Sequence, residues 1–453
     1  MAVRFVHAAD LHLGSPLETR GAESPELQRE LREATYTAFE RIVDVTIEED
    51  VDFLLIAGDL YDRKNRSVRA NEFLAEQFER LEAVDVPVYV IYGNHDPLSD
   101  ATTYIDLPAN VHEFGADEPA EALYPNPTAP EARIWGQSYR TEAERRPMYE
   151  EFAPPDGRIP NVGLLHTGLD PDGRNYVPCS PAELAETQHI DYWALGHVHQ
   201  PTVYREDPPV VHPGVPQGRH AREAGVGGCG LVELGDGDPS LEYVPTSSVI
   251  WHTVDVDVEA ADPDAYDLRT IDGIQRYIET AADDLTPGYD ELETALGVPV
   301  RRPDWEPAGY VCRWQLSGTG PVNEFLTDTD EPILHGVAEG LRDRLTDRSA
   351  FVFTETVEDR TEPPRPDIEE LRGSDRVVDE FFSLLEDLEA DPDARDAMRN
   401  VIRYDIPDNV WQRVEDPEEL SDDKLALTEP RLDELIDRAE SRVLDELVRR
   451  RVE

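Results

Sequence analysis

The stretch "ALGHVHQP", residues 194–201, holds two histidines one residue apart, straight after an apolar run. In an extended backbone, His197 and His199 point to the same face. They are either odd histidines on a half-buried strand or one end of a metal site. A metal site needs partners, and the chain supplies them in order. "HAADLH" (7–12) offers Asp10 and His12, "AGDLYD" (57–62) Asp59 and Asp62, "YGNHD" (92–96) Asn94, His95 and Asp96, and "LLHTG" (164–168) His166. Each follows a run that reads as a strand, and open α/β sheets gather ligands beyond the carboxyl ends of their strands. A lone D-x-H or a lone histidine is usually structural. Five such segments, each at a strand end, point to one shared site.

The residue types suit phosphoryl transfer. Two cations about 3.5–4 Å apart can clamp the attacking and leaving oxygens of a displacement at phosphorus. One carboxylate must bridge them, and Asp59 ends the central strand. Asp10, His12 and His199 complete the first metal; Asn94, His166 and His197 complete the second. The two histidines of "GHVH" then divide between the metals, which accounts for their closeness. Mixed imidazole and carboxylate ligands favour Mn²⁺, Fe²⁺ or Zn²⁺ over Ca²⁺.

Outward from these segments, residues 1 to about 250 alternate strands and helices. "VDFLLIAG" (51–58) and "VPVYVIYG" (86–93) are unbroken apolar runs ending in glycine, as in strands buried on both faces. Between them Phe73, Leu74, Phe78 and Leu81 follow helical spacing. An earlier helix starts at Ser24-Pro25, an N-cap followed by proline at the first helical position. The pattern predicts a layered α/β fold, two mixed sheets flanked by helices, over residues 1–255. Residues 256–360 read as a small α+β capping domain, and 361–453 as a helical region. In the last, Leu432, Leu435, Ile436, Ala439, Val443, Leu447 and Val448 make one apolar stripe.

The chain has 453 residues, more than a single core usually organises. It lacks a secretory h-region and any apolar stretch near the ~18 residues of a membrane helix. The three cysteines, Cys179, Cys229 and Cys312, are widely spaced and form no C-x-x-C, which suits a reducing cytoplasm. Asp and Glu total 98 against 42 Lys and Arg, a formal net charge of −56, and the only lysines are Lys64 and Lys424. Self-repulsion of this size opposes compaction. Molar salt screens it, because the Debye length then falls to ~3 Å. The composition predicts a halophilic protein of a salt-loaded, haloarchaeal kind of cytoplasm, with no membrane partner.

The order D-x-H, G-D-x-x-D, G-N-H-D, H, G-H-x-H resembles the calcineurin-like metallophosphoesterase superfamily. More narrowly it resembles the SbcD/Mre-type DNA repair exonucleases, in their YhaO-like branch, through "HAADLHLGSPL" (7–17) and "HPGVPQGRHAREAGVGGCGLVEL" (212–234). The resemblance covers roughly residues 1–255. It implies a di-manganese centre, DNA as substrate, an SMC-like coiled-coil ATPase as partner, and pairing with a second copy of the chain. It further implies that His95 acts as general acid toward the leaving 3′ oxygen, with Asp96 orienting it. Some members carry a histidine three residues after the bridging aspartate; here that position is Asp62, so any role of that histidine does not carry over.

Other residues divide between two readings. Arg219 and His220, in "QGRHAREAG" (217–225), are either phosphate contacts or part of a solvated turn. Arg63 and Arg66, with Lys64 and Arg69, form either a footing for DNA or a cap for the next helix. The C-terminal stripe either docks the ATPase or packs on the capping domain. Two rival functions stand beside the nuclease: a phosphoesterase of nucleotides or small phosphodiesters, and a silent scaffold for the ATPase.

Overall fold

The computed structural model describes residues 2–363 apart from 20, 23, 63–66, 101–105, 158, 172–174, 205–206, 236 and 328–332, together with 376–390 and 442. Strands β1 (Val3–Ala8), β2 (Phe53–Ala57), β3 (Val88–Ile91) and β4 (Val111–Glu113) come first. Next are β5 (Ala120–Tyr124), β6 (Ala132–Gly136), β7 (Asn161–His166), β8 (Tyr192–Gly196), β9 (Thr202–Tyr204) and β10 (Val210–His212), then β11 (Gly228–Leu234) and β12 (Ser240–Pro245). They form two six-stranded sheets, ordered β12-β11-β1-β2-β3-β4 and β5-β6-β7-β8-β10-β9. Both are mixed. β1 to β4 run parallel and β11 returns antiparallel beside β1. β6, β7, β8 and β10 are parallel, edged by antiparallel β5 and β9.

The period-two alternation of the strands makes the layers. Phe5, Phe53, Leu55, Tyr89 and Ile91 face the second sheet, where Ile134, Val162, Leu164, Tyr192 and Ala194 meet them. Val6, Leu54, Ile56, Val88 and Val90 face the other way, toward helices α1 (Pro25–Glu48) and α2 (Val68–Glu82), and pack on Phe39, Ile42, Leu74 and Phe78. The apolar runs of β2 and β3 are therefore buried on both faces. Each such side chain contributes about 1.5–3 kcal/mol. The outer face of the second sheet is covered by Tyr139, Met148, Phe152 and Leu184 of α3 (Pro181–Ala185). Ser24 caps α1 by accepting from the Leu27 amide, with Pro25 in the first turn.

A third sheet, β13-β14-β15, is built from β13 (Val249–Asp257), β14 (Gly309–Thr319) and β15 (Phe351–Glu362). Val249, Trp251, Val311, Phe351 and Phe353 pack against Leu27 and Leu31 of α1. Helices α4 (Ile271–Asp283), α5 (Tyr289–Leu296), α6 (Pro321–Thr327) and α7 (Ile333–Leu345) occupy the intervening chain, and Gln275 of α4 donates to the Gly336 carbonyl of α7 at 3.1 Å. By compactness the chain divides into Met1–Val256 with Ala261–Leu316 and Glu331–Asp359, and a second unit of Asp257–Ala260, Ser317–Asp330 and Arg360–Glu453. The second unit includes α8 (Arg376–Ala390), and within it Asn323 donates to the Thr361 carbonyl at 3.1 Å. The apolar stripe from Leu432 to Val448 lies outside the described residues. No described helix is long and apolar enough to cross a membrane.

Candidate metal centre

Five strand ends meet above the sandwich. The segment after β1 runs beside the segment after β2: the Asp10 amide donates to the Gly58 carbonyl at 3.0 Å, His12 to Asp59 at 3.0 Å and Leu13 to Leu60 at 2.9 Å. Four site residues take left-handed backbone angles, Asp10 at φ 52°, His12 at 43°, Asp59 at 54° and His197 at 98°. Non-glycine residues cost about 1–3 kcal/mol each in sparsely populated regions and persist where their surroundings impose them. Here the turns swing carboxylates and imidazoles inward. Glycine precedes three of the candidate ligands, Asp59, Asn94 and His197, because the strands approach so closely. A Cβ on Gly93 would lie 2.2 Å from Asp59 Oδ1, and one on Gly196 1.9 Å from the Ala57 carbonyl oxygen.

Hydrogen bonds fix which nitrogen of His12, His199 and His166 faces the centre. His12 Nδ1 sits 3.0 Å from Asp62 Oδ1, and His199 Nδ1 sits 2.6 Å from Glu223 Oε1. Each Nδ1 donates to its carboxylate, so each Nε2 keeps a free lone pair. Those two Nε2 atoms face each other across 3.3 Å. His166 gives Nδ1 to the Ala57 carbonyl at 2.8 Å and turns Nε2 to Asn94 Oδ1 at 3.0 Å. His197 Nδ1 lies 2.9 Å from that same Asn94 oxygen, and the His197 amide donates to Asp10 Oδ2 at 2.9 Å. Asp59 Oδ2 is buried with no hydrogen-bond partner, 3.5 Å from His166 Nε2 and 4.0 Å from His12 Nε2. Lone pairs gathered without matching donors are costly unless positive charge sits among them. The ligand atoms of Asp10, His12 and His199 lie within 4.8 Å of one another, as do those of Asp10, Asp59 and His166. This donor set fits divalent cations, with carboxylate and carbonyl partners behind His12, His199 and His166 as metal sites require.

The charges agree. Burial alone would discharge His166, but Asp59 and Asp10 lift its pKa to about 9, so this position calls strongly for positive charge. Burial and the neighbouring His166 push His197 down to about 3. Burial would raise the Asp62 carboxyl, yet hydrogen bonds from His12 and His95 hold it well below the usual carboxylate range.

The structure brings Asp10, His12, Asp59, Asn94, His166, His197 and His199 together. It corrects the partner of His95. Asp96 is buried and accepts from the Leu60 amide at 2.7 Å and the Gly93 amide at 2.9 Å, tying the loops after β2 and β3. Both its oxygens are thus turned to backbone. The carboxylate on His95 is Asp62, 2.7 Å from Nδ1. Arg219 is not open to solvent: its guanidinium meets Asp62 at 3.0 Å and Glu223 at 2.9 Å. His220 lies beside it, 3.5 Å from Glu223. Arg69 pairs with Glu33 and stacks on Tyr36. Arg63, Lys64 and Arg66 lie outside the described residues.

Sequence reasoning missed Glu223, which holds His199, and left Asp62 without a role. A signal for both existed: each ligand histidine needs an acceptor on its second nitrogen. It also missed Tyr176, whose ring lies 4.3 Å from that of His197.

The calcineurin-like phosphoesterase family model matches residues 3–201. The chain is 32% identical to the uncharacterized metallophosphoesterase YhaO of Bacillus subtilis over 407 residues, 89% of this chain and 90% of that one. It is 26% identical to the DNA double-strand break repair protein Mre11 of Aeropyrum pernix over 271 residues, 56% of this chain and 64% of that one. The Mre11 of Methanopyrus kandleri is 28% identical over 234 residues, 48% and 49% of the two chains. Similarity that runs through nearly the whole of one relative and through every ligand segment leaves one conclusion: this chain belongs to the calcineurin-like phosphoesterase family of dinuclear-metal hydrolases.

Proposed function

We propose that this protein is a Mn²⁺-dependent DNA repair nuclease, an exonuclease with endonuclease activity, that works with an SMC-like coiled-coil ATPase. The observation that carries this is His95 at the rim of the cluster. Its Nδ1 is braced by Asp62, and its side chain is 41% exposed. Likeness to relatives named as DNA double-strand break repair proteins supports DNA as the substrate.

Asp10, His12 and His199 would hold one cation and Asn94, His166 and His197 the other, with the buried Asp59 carboxylate within reach of both sets. When bound, the cations supply Lewis acidity: they neutralise phosphoryl charge and lower the pKa of water. The chain's own residues do the rest. Asp62 accepts from His95 Nδ1, which leaves Nε2 to face the substrate. The same hydrogen bond raises the pKa of His95, so a proton is held at Nε2 for the departing 3′ oxygen. The His95 amide donates to Asp59 Oδ1 at 2.9 Å, which keeps acid and shared ligand in register.

The test is Mn²⁺-dependent degradation of end-labelled linear duplex, with and without the ATPase, beside hydrolysis of a chromogenic phosphodiester. Cleavage of DNA, enhanced by the ATPase, is expected. Turnover of the small diester with DNA left intact would replace the nuclease by a small-phosphodiester hydrolase. No turnover of either would favour a scaffold.

A further inference from the structure

Behind the ligand histidines lies one guanidinium shared by two carboxylates. Arg219 donates from Nη1 to Asp62 Oδ2 at 3.0 Å, from Nη2 to Glu223 Oε1 at 2.9 Å and from Nε to Glu223 Oε2 at 3.3 Å. Glu223 in turn accepts from His199 Nδ1, and Asp62 from both His12 Nδ1 and His95 Nδ1. Arg219 is 9% exposed and Glu223 4%, so the bonds between these two lie largely out of water.

We propose that Arg219 is a positioning residue that, through Glu223 and Asp62, fixes the orientation of His199, His12 and His95 and so couples the first metal position to the proton-donating histidine. This rests on the reading above that His12 and His199 share a cation.

The loop that carries Arg219 is itself anchored. The Arg219 amide donates to Glu223 Oε2 at 2.7 Å, and its carbonyl accepts from the Glu18 amide at 2.8 Å. The Gln217 side chain donates from Nε2 to the Val249 carbonyl at 2.7 Å and accepts at Oε1 from the Ser248 amide at 2.8 Å, which fastens the loop to the start of β13. The guanidinium is thus presented as a fixed fork. Glu223 takes the side-on pair from Nε and Nη2, and Asp62 takes Nη1. Only arginine matches that geometry; lysine keeps the charge but is a point donor without the fork. A phosphate contact from Arg219 would have to break these bonds, whereas positioning uses them as they stand. Carboxylates behind metal histidines set both ring orientation and ligand basicity. A single cation that holds two of them can set both histidines of one metal together.

The experiment is calorimetric titration of the full chain with Mn²⁺, together with metal-free melting, on the parent, Arg219→Lys, Glu223→Gln and the double variant. The parent is expected to take up two ions. Arg219→Lys and Glu223→Gln should each weaken one ion about 10- to 100-fold, the range for partners of metal ligands. The double variant should lose little more than either single one, because the two residues act in one chain of bonds. Unchanged Mn²⁺ affinity in Arg219→Lys, with or without a lower melting temperature, would overturn the proposal and leave a structural ion pair. Should Arg219→Lys fail to fold, the isosteric Glu223→Gln decides by the same criterion. Failure of the parent to bind Mn²⁺ would overturn the metal centre itself, which loss in the variants alone would not.

Discussion

His95 offers one nitrogen to Asp62 and leaves the other free, and that division separates binding from chemistry. His95→Ala removes a proton donor but no ligand. It should keep its Mn²⁺ and its DNA affinity while turnover falls ~10²- to 10⁴-fold, the usual worth of general acid assistance. Rates at saturating Mn²⁺ equal to those of the parent would eliminate His95 as the acid. Asp62→Asn should do more, because Asp62 holds His12 as well as His95. Slower turnover and weaker binding of one Mn²⁺ are both expected, measured by rate and by titration. A pure rate effect would mean that the His12 bond is idle.

At the scale of strands and loops, close approach is the governing fact. β2 and β3 bring their ends so near that a Cβ on Gly93 would strike Asp59 Oδ1. Gly93→Ala should therefore displace Asp59 and cut Mn²⁺ uptake while the far-ultraviolet spectrum stays that of the parent. Full uptake would show that the loop yields without moving Asp59. Between the sheets, His7 on β1 lies 3.2 Å from the Tyr192 hydroxyl and 3.1 Å from the Leu195 carbonyl, and burial lowers its pKa to about 3. In the unfolded chain it takes a proton near ~6.5. Between these values the unfolded state binds more protons, so this residue's contribution is complete above the unfolded pKa and is lost as pH falls toward the folded one. The loss is at most about 1.4 kcal/mol per pH unit. Melting followed from pH 7 to 4 should fall less steeply in His7→Gln than in the parent, whatever the variant's starting stability. What was legible in the sequence follows from the same geometry. "VDFLLIAG" and "VPVYVIYG" announced β2 and β3 because strands buried on both faces must be apolar throughout. Ser24-Pro25 announced α1 because capping is local. β4 and β9, three residues each and only partly covered, carry no such pattern. The gathering of the candidate ligands could be read because each of their five segments lies at the end of a strand. The exchange of Asp96 for Asp62 could not, since it depends on where two neighbouring turns direct their carboxylates.

For the whole molecule, charge sets the conditions. A chain of net −56 repels DNA at long range. Phosphate contacts weaken with salt as counterions are released, while added salt screens the repulsion. We propose an optimum of activity and melting temperature near molar KCl, measured across a KCl series at fixed Mn²⁺. Greatest activity and stability in dilute buffer would overturn the salt-adapted reading and leave the metal centre untouched. That centre is tested most directly by counting metal. Elemental analysis of the Mn²⁺-loaded, desalted chain should find two ions per parent molecule and fewer than one in Asp59→Ala, because in the proposed centre the buried Asp59 carboxylate would serve both positions. Two ions retained by Asp59→Ala, or none held by the parent, would contradict a dinuclear centre built around Asp59.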